Sequence, residues 1–295
     1  MIFFLQLVIT GIVVGSMYAL VALGFVLIYK SSRVINFAQG ELVLIGAFVC
    51  LSLTTTYKVP FLLAFLLTMI IAVLVGLVIE RLFLRPMIGE PVLSIIMLTI
   101  GLSSLLRGVI ELIWGTETRV FPPFFSQKPL ELGGGIVVSE IYVWSFVFAA
   151  LFLVIFSLFF KYTSQGIAMR AAADDEDAAL SMGISIKKIY GMAWAIAALV
   201  AGVGGIVIGN INGVNISVSA MGLKVFPVVI LGGLDSIPGA IIGGLTIGIL
   251  ENLAGGYLDP YVGGGTKEIF PFVILVLILM IKPYGLFGLE RIERV

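Results

Sequence analysis

Apolar runs of about twenty residues recur from one end of this 295-residue chain to the other, at about 3–29, 41–56, 60–80, 92–114, 140–160, 189–210, 224–254 and 268–281. A hydrocarbon layer about 30 Å thick needs roughly 20 apolar residues per crossing helix. A water-soluble core cannot use so much uninterrupted apolar sequence, because polar residues are needed to cover it. Only 12% of residues are charged, 60% are hydrophobic, and mean hydropathy is +1.21. The runs are continuous and not ten-residue alternations, which argues against a transmembrane β-barrel. The expected fold is all-α, a polytopic transmembrane helical bundle of about eight spans in a single domain, 1–295. The first run lacks a basic leader and is too long for a signal-peptide core, so it reads as a retained membrane helix.

The 17 basic and 17 acidic residues cancel, so total charge gives no pointer to nucleic acid, and none is expected as a partner. Cys50 is the only cysteine and there is no histidine. Zinc clusters, imidazole proton relays and histidine-dependent triads are thereby excluded, and no metal or other cofactor is expected.

Charge distribution predicts orientation. With the N-terminus outside, eleven basic residues fall in cytoplasmic segments: Lys30, Arg33, Arg81, Arg85, Lys161, Arg170, Lys187, Lys188, Lys282, Arg291 and Arg294. Five fall outside, at Lys58, Arg119, Lys128, Lys224 and Lys267, and Arg107 lies within a span. The loop 161–189 and the C-terminus are then cytoplasmic. This parity requires 224–254 to enter and return, although 31 residues are too few for two full spans. Pro227, Gly232, Gly233, Asp235 and Pro238 mark the break. The expectation is two short helices, or a re-entrant helix followed by a tilted span, with one long kinked helix as the alternative. Small-xxx-small pairs at Gly11/Gly15, Gly205/Gly209, Gly239/Gly243 and Gly244/Gly248 read as close helix packing within the chain.

The stretch "RAAADDEDAALSMGI", residues 170–184, interrupts this apolar pattern. It reads as one short helix, with Asp174 as N-cap, Asp175 to Asp177 in the opening turn and Gly183 just past the end. Its alanines permit close approach, Leu180 and Met182 offer apolar contact, and its carboxylates can pair with a basic partner. On the residues alone, a docking helix and a solvated charged loop both remain open.

The longer run "GIAMRAAADDEDAALSMGISIKKIYGMAWAIAALVAGVGGIVIG" resembles the cytoplasmic-loop motif of permease subunits of ATP-binding-cassette importers, and more narrowly their branched-chain amino acid family. The likeness extends to "GSMYALVALGFVLIYKSSRVINFAQGELVLIGAF" and "VVILGGLDSIPGAIIGGLTIGILE", and so covers nearly the whole chain. It implies the first of two paired permeases in the cytoplasmic (inner) membrane. The implied partners are a second, homologous permease, two ATPase subunits, an external solute-binding protein and the lipid bilayer. The resemblance makes 161–189 a coupling-helix loop, with Ala171, Asp174, Asp175, Glu176, Ala178, Leu180, Met182 and Gly183 as candidate ATPase contacts. No G-x-x-x-x-G-K-[ST] motif occurs, so ATP hydrolysis is expected in a separate chain, and this subunit is not expected to be an enzyme.

Ionisable groups within spans need partners. Arg107 and Glu111, four residues apart, are expected to pair with each other, with direct contact to the solute as the alternative. Glu80 and Arg81 are expected to snorkel at a helix end, and Glu251 and Asn252 to lie at the rim or on the path. In "NFAQGE", Asn36, Gln39, Gly40 and Glu41 cluster where the first span turns into the second. They are candidates for a cytoplasmic gate, or for simple capping of two helix ends. Asp235 and Ser236, at the predicted break, carry the same ambiguity. The expected cargo is a branched-chain or related hydrophobic amino acid. Urea or a short amide carried by the same architecture is an alternative, and an ion-coupled secondary transporter a remoter one.

Overall fold

A computed structural model describes residues 1–122, 129–131 and 137–288. Lys128, Arg291 and Arg294, counted above for orientation, lie outside the described residues. The chain is helical almost throughout: α1 (Ile2–Ser32), α2 (Gln39–Thr55), α3 (Phe61–Ile79), α4 (Val92–Trp114), α5 (Glu140–Tyr162), α6 (Ser164–Asp174), α7 (Glu176–Ser181) and α8 (Ile186–Asn212). A 3-10 turn, Ile216–Ala220, leads into α9 (Met221–Lys224), α10 (Phe226–Gly232), α11 (Ile237–Tyr257), α12 (Asp259–Val262) and α13 (Thr266–Ile281). A small hairpin, β1 (Pro129–Glu131) with β2 (Val137–Ser139), precedes α5. Among the described residues six helices are long and apolar enough to cross a membrane, while α2 and the broken segment 216–232 are shorter.

Helices α1 and α8 form the core, most of their side chains enclosed by neighbouring helices. Glycine is what brings the backbones together. Gly11 and Gly15 of α1 face Gly244 and Gly248 of α11, so a Cβ on Gly15 would lie 2.7 Å from the Gly244 carbonyl oxygen. Gly205 of α8 similarly lies against the Val43 carbonyl of α2. With lipid outside, apolar surface gives no reason for helices to associate, and close van der Waals packing supplies it instead. The small-xxx-small pairs therefore act within the chain, as expected. Exposed large apolar side chains line α3 (Leu62, Leu66, Ile70, Leu74) and α5 (Leu151, Val154, Leu158), the faces suited to lipid.

The break in the Gly/Pro-rich stretch falls where the sequence placed it. Helix α10 ends at Gly232, Gly233 turns with φ of +100°, and α11 starts after Ser236, whose hydroxyl accepts from the Gly239 amide at 3.0 Å. Gly239 and Gly243 lie against Gly232 and Val228, so α10 and α11 are antiparallel neighbours and not one kinked helix.

Four local expectations are corrected. The acidic island is two helices: Asp175, with extended φ and ψ of −150° and 108°, interrupts it and is itself the N-cap, accepting from Ala178 N at 2.9 Å. Asp174 instead closes α6. Glu80 does not snorkel; it is buried in a π-helical turn (Glu80–Leu84) and held by Arg85 at 3.0 Å. Lys224 does not sit in an open loop but closes α9, paired with Glu268 at 2.8 Å and Glu251 at 3.6 Å.

Candidate functional site

Three clusters gather the residues singled out in the sequence. The first is the α6–α7 corner. Thr163 caps α6 by accepting from Gly166 N at 3.0 Å, and Arg170 donates to the Phe160 carbonyl, folding α6 back against the end of α5. Ala172, Ala173 and Ala179 are buried, while Asp174, Asp175, Glu176, Asp177, Ala178 and Gly183 are exposed. Leu180 is 52% and Met182 82% exposed, so apolar side chains stand open beside the carboxylates. Ala171 is half-buried and is not part of this open face. None of the four carboxylates forms an ion pair among the described residues. Arg33, just after α1, donates to the Ala173 carbonyl at 2.7 Å and ties the corner to the chain that leads into α2.

The second cluster is the turn between α10 and α11. Lys30 near the end of α1 donates to the Asp235 carbonyl at 3.2 Å. A cleft of about 420 Å³ runs between this turn and the α5–α6 corner, lined by Lys30, Lys161, Arg170, Asp235, Ser236 and Pro238. Asp235 and Ser236 thus lie at the same end of the bundle as the acidic corner.

The third cluster lies deeper than the turn expected from sequence. After α1 the chain runs back inward: Thr99 of α4 donates to the Ile35 carbonyl at 3.3 Å and its hydroxyl faces the Phe37 amide at 3.4 Å. Gln39 then packs on Gly24, eight residues before the end of α1, or about 12 Å along a helix rising 1.5 Å per residue. Asn36 turns the chain into α2, its Oδ1 accepting from Ala38 N at 3.0 Å and its Nδ2 donating to Gln39 Oε1 at 3.2 Å. Gly40 is pressed against the Ser219 carbonyl, where any Cβ would collide. Asn36, Gln39 and Glu41 are all buried. The four residues therefore lock α2 to α1, α8 and the broken segment, inside the layer.

Arg107 corrects the expected pairing. It makes no bond to Glu111; its Nη2 instead reaches Glu41 Oε1 at 3.1 Å and Ser219 Oγ at 2.9 Å. A mirror arrangement holds the other side of the broken segment, where Lys224 meets Glu251 and Tyr18 donates to Glu251 at 2.8 Å. Glu251 and Asn252 are buried and so not at a rim. Sequence reasoning missed Thr99 and Ser219, isolated hydroxyls with no local pattern, and misassigned the partner of Arg107.

A helical bundle with a short helix starting at depth and a broken segment beside it is an architecture suited to solute passage. The family model described as "Branched-chain amino acid transport system / permease component" matches residues 7–281. The chain belongs to this family. The high-affinity branched-chain amino acid transport system permease protein LivH of Salmonella typhimurium is 32% identical, over 99% of this chain and 98% of that protein. BraD of Pseudomonas aeruginosa, with the same description, is also 32% identical over the same shares. A probable LivH of Methanocaldococcus jannaschii is 30% identical over 95% of this chain and 91% of its own. PsaBC from Streptococcus pneumoniae, solved in complex with Fab, gives a TM-score of 0.50 at 14% identity, covering 96% of this chain and 92% of that one, a likeness of fold alone. The chain is thus a multi-pass permease of a branched-chain amino acid transport family.

Proposed function

We propose that this chain carries branched-chain or related hydrophobic amino acids through the inner membrane, paired with a second permease and driven by ATP hydrolysed on two separate subunits, with an external binding protein delivering the solute. The N-terminus is outside, and the loop 161–189 and the C-terminus are inside. The observation that carries the reading is the α6–α7 corner, where exposed Asp174, Glu176, Ala178, Leu180 and Met182 form an anionic, apolar-tipped knob. An anionic lipid leaflet would repel such a knob, whereas a basic groove on an ATPase would receive it. Movement imposed there reaches depth by a continuous route. Ala173 pulls on Arg33, and six residues later the chain enters α2 at Gln39, Gly40 and Glu41. These residues with Asn36 form the gate, and Asp235 and Ser236 flank the inner exit.

Substituting Asp174→Lys together with Glu176→Lys tests this reading. Asp175 is spared because it caps α7, and losing a cap costs about 1 kcal/mol by itself. The double variant is expected to insert normally and to lose its ATPase chains on purification. Undiminished co-purification and leucine uptake would refute the coupling role.

A further inference from the structure

The exposed face of α4 is apolar up to Ile100, with Leu93, Met97 and Ile100 open, and beyond that point it has two unlike edges. Leu105, Val109 and Leu112 form an apolar edge fit for lipid. About 100° around the helix per residue, Ser104, Arg107 and Glu111 fall on the other edge, from which Arg107 reaches Ser219 of the broken segment 216–232. Arg107 stands fifteen residues after Val92, about 22 Å along α4 and seven residues before its end. It is thus inside the apolar layer, yet its side chain remains 45% exposed. A charge at that depth is costly against lipid, and such groups face protein or water. Interrupted backbone at membrane depth obeys the same restriction, and Ser219 within the 3-10 turn is only 2.9 Å from the guanidinium.

The hydrogen bonds of Arg107 are also one-sided. Both protein partners are taken by Nη2. Of the five N–H donors of a guanidinium, the three on Nε and Nη1 have no partner among the described residues. Glu41, only 2% exposed, fixes the group and offsets its charge without occupying its open side. One turn further along the same edge, Glu111 holds a carboxylate with no ion-pair partner among the described residues. A guanidinium with open donors one helical turn from an open carboxylate matches the two ends of an amino-acid zwitterion.

Resting on the importer reading above, we propose that this edge of α4 lines the solute path, Arg107 receiving the carboxylate of the passing amino acid and Glu111 its ammonium. Because Glu41 already neutralises Arg107, the grip is weak, as a path requires if the solute is to leave. The side chains of Asn36, Gln39 and Glu41 are enclosed, so as a gate they act by shifting α2, and Arg107 with it, and not by touching the solute.

The test uses the assembled transporter in proteoliposomes, with L-leucine as solute. Glu41→Gln with Arg107→Gln removes the ion pair as a unit and leaves no buried charge alone; Glu111→Gln is the second variant. Loss of a charged hydrogen bond predicts uptake reduced on the order of tenfold or more for each, with assembly retained. In a Cys50→Ala background, Ser104→Cys is expected to react with a water-soluble methanethiosulfonate and to be protected by leucine, while its neighbour Leu105→Cys stays unreactive. Parental uptake by both glutamine variants would overturn the proposal. So would an unreactive Ser104→Cys that cross-links directly to the second permease, which would make the edge a dry subunit seam. Should the unsubstituted assembly carry no leucine on ATP, the importer reading fails separately, and the labelling pattern still decides whether this edge is wet.

Discussion

Gly15→Ala adds one methyl group at the seam between α1 and α11. That Cβ would stand 2.7 Å from the Gly244 carbonyl oxygen and 2.8 Å from the Leu245 Cα, where ordinary contact begins at 3.4 Å. The shortfall of about 0.6–0.7 Å is against backbone on both counts, so no side-chain rotation relieves it. Overpacking of this kind costs about 1–3 kcal/mol, and a gap of 0.5–1 Å elsewhere along the seam forfeits a quarter to a half of each contact's attraction. Alanine's better helix propensity returns about 1 kcal/mol. The net expectation is a loss of up to about 2 kcal/mol for Gly15→Ala and a larger one for Gly15→Leu. Unfolding of the purified permease by sodium dodecyl sulfate, followed by tryptophan fluorescence, measures it. Gly101→Ala on α4 is the control, since nothing lies within 4 Å of its added Cβ. Equal midpoints for Gly15→Leu and Gly101→Ala would refute the claim that glycine packing holds the core.

Two further outcomes follow from single contacts. Arg33→Ala removes the 2.7 Å bond to Ala173, and is expected to lower uptake while leaving ATPase co-purification intact; unchanged uptake would remove Arg33 from the coupling route. Asp259, between α11 and α13, accepts from the Thr266 hydroxyl and from Thr266 N at 2.9 Å, and these bonds hold its carboxyl below the ordinary 3.8. Since its folded value is depressed, its contribution is present above the ordinary value and is lost as pH falls through the lowered one. Hydrogen-exchange protection at Thr266 is therefore expected to be steady from neutral to mildly acidic pH and to fall only in stronger acid, whereas Asp259→Asn weakens it at every pH.

Much of this fold is legible because apolar runs and glycine pairs are local signals. Helices α1, α4, α5 and α8 lie where the runs do, and the break at Gly233 follows from residues that cannot continue a helix. The errors share a cause, which is competition among equivalent local choices. Any of four consecutive acids can cap a helix, and sequence does not rank Asp175 over Asp174. Glu111 is the nearest acid to Arg107 along α4, but Glu41, 66 residues away, is the one the fold delivers. The inward run of 33–38 leaves no local trace either, so the "NFAQGE" residues read as a surface turn although tertiary contacts hold them at depth.

The importer reading requires a cytoplasmic ATPase to grip the α6–α7 knob. With Cys50→Ala removing the only native thiol, Met182→Cys presents a single cysteine at its most exposed apolar point. This cysteine is expected to cross-link to the ATPase chain in the assembled transporter, and to escape labelling by an impermeant thiol reagent added outside sealed cells. Labelling from outside, with no ATPase cross-link, would contradict the importer reading.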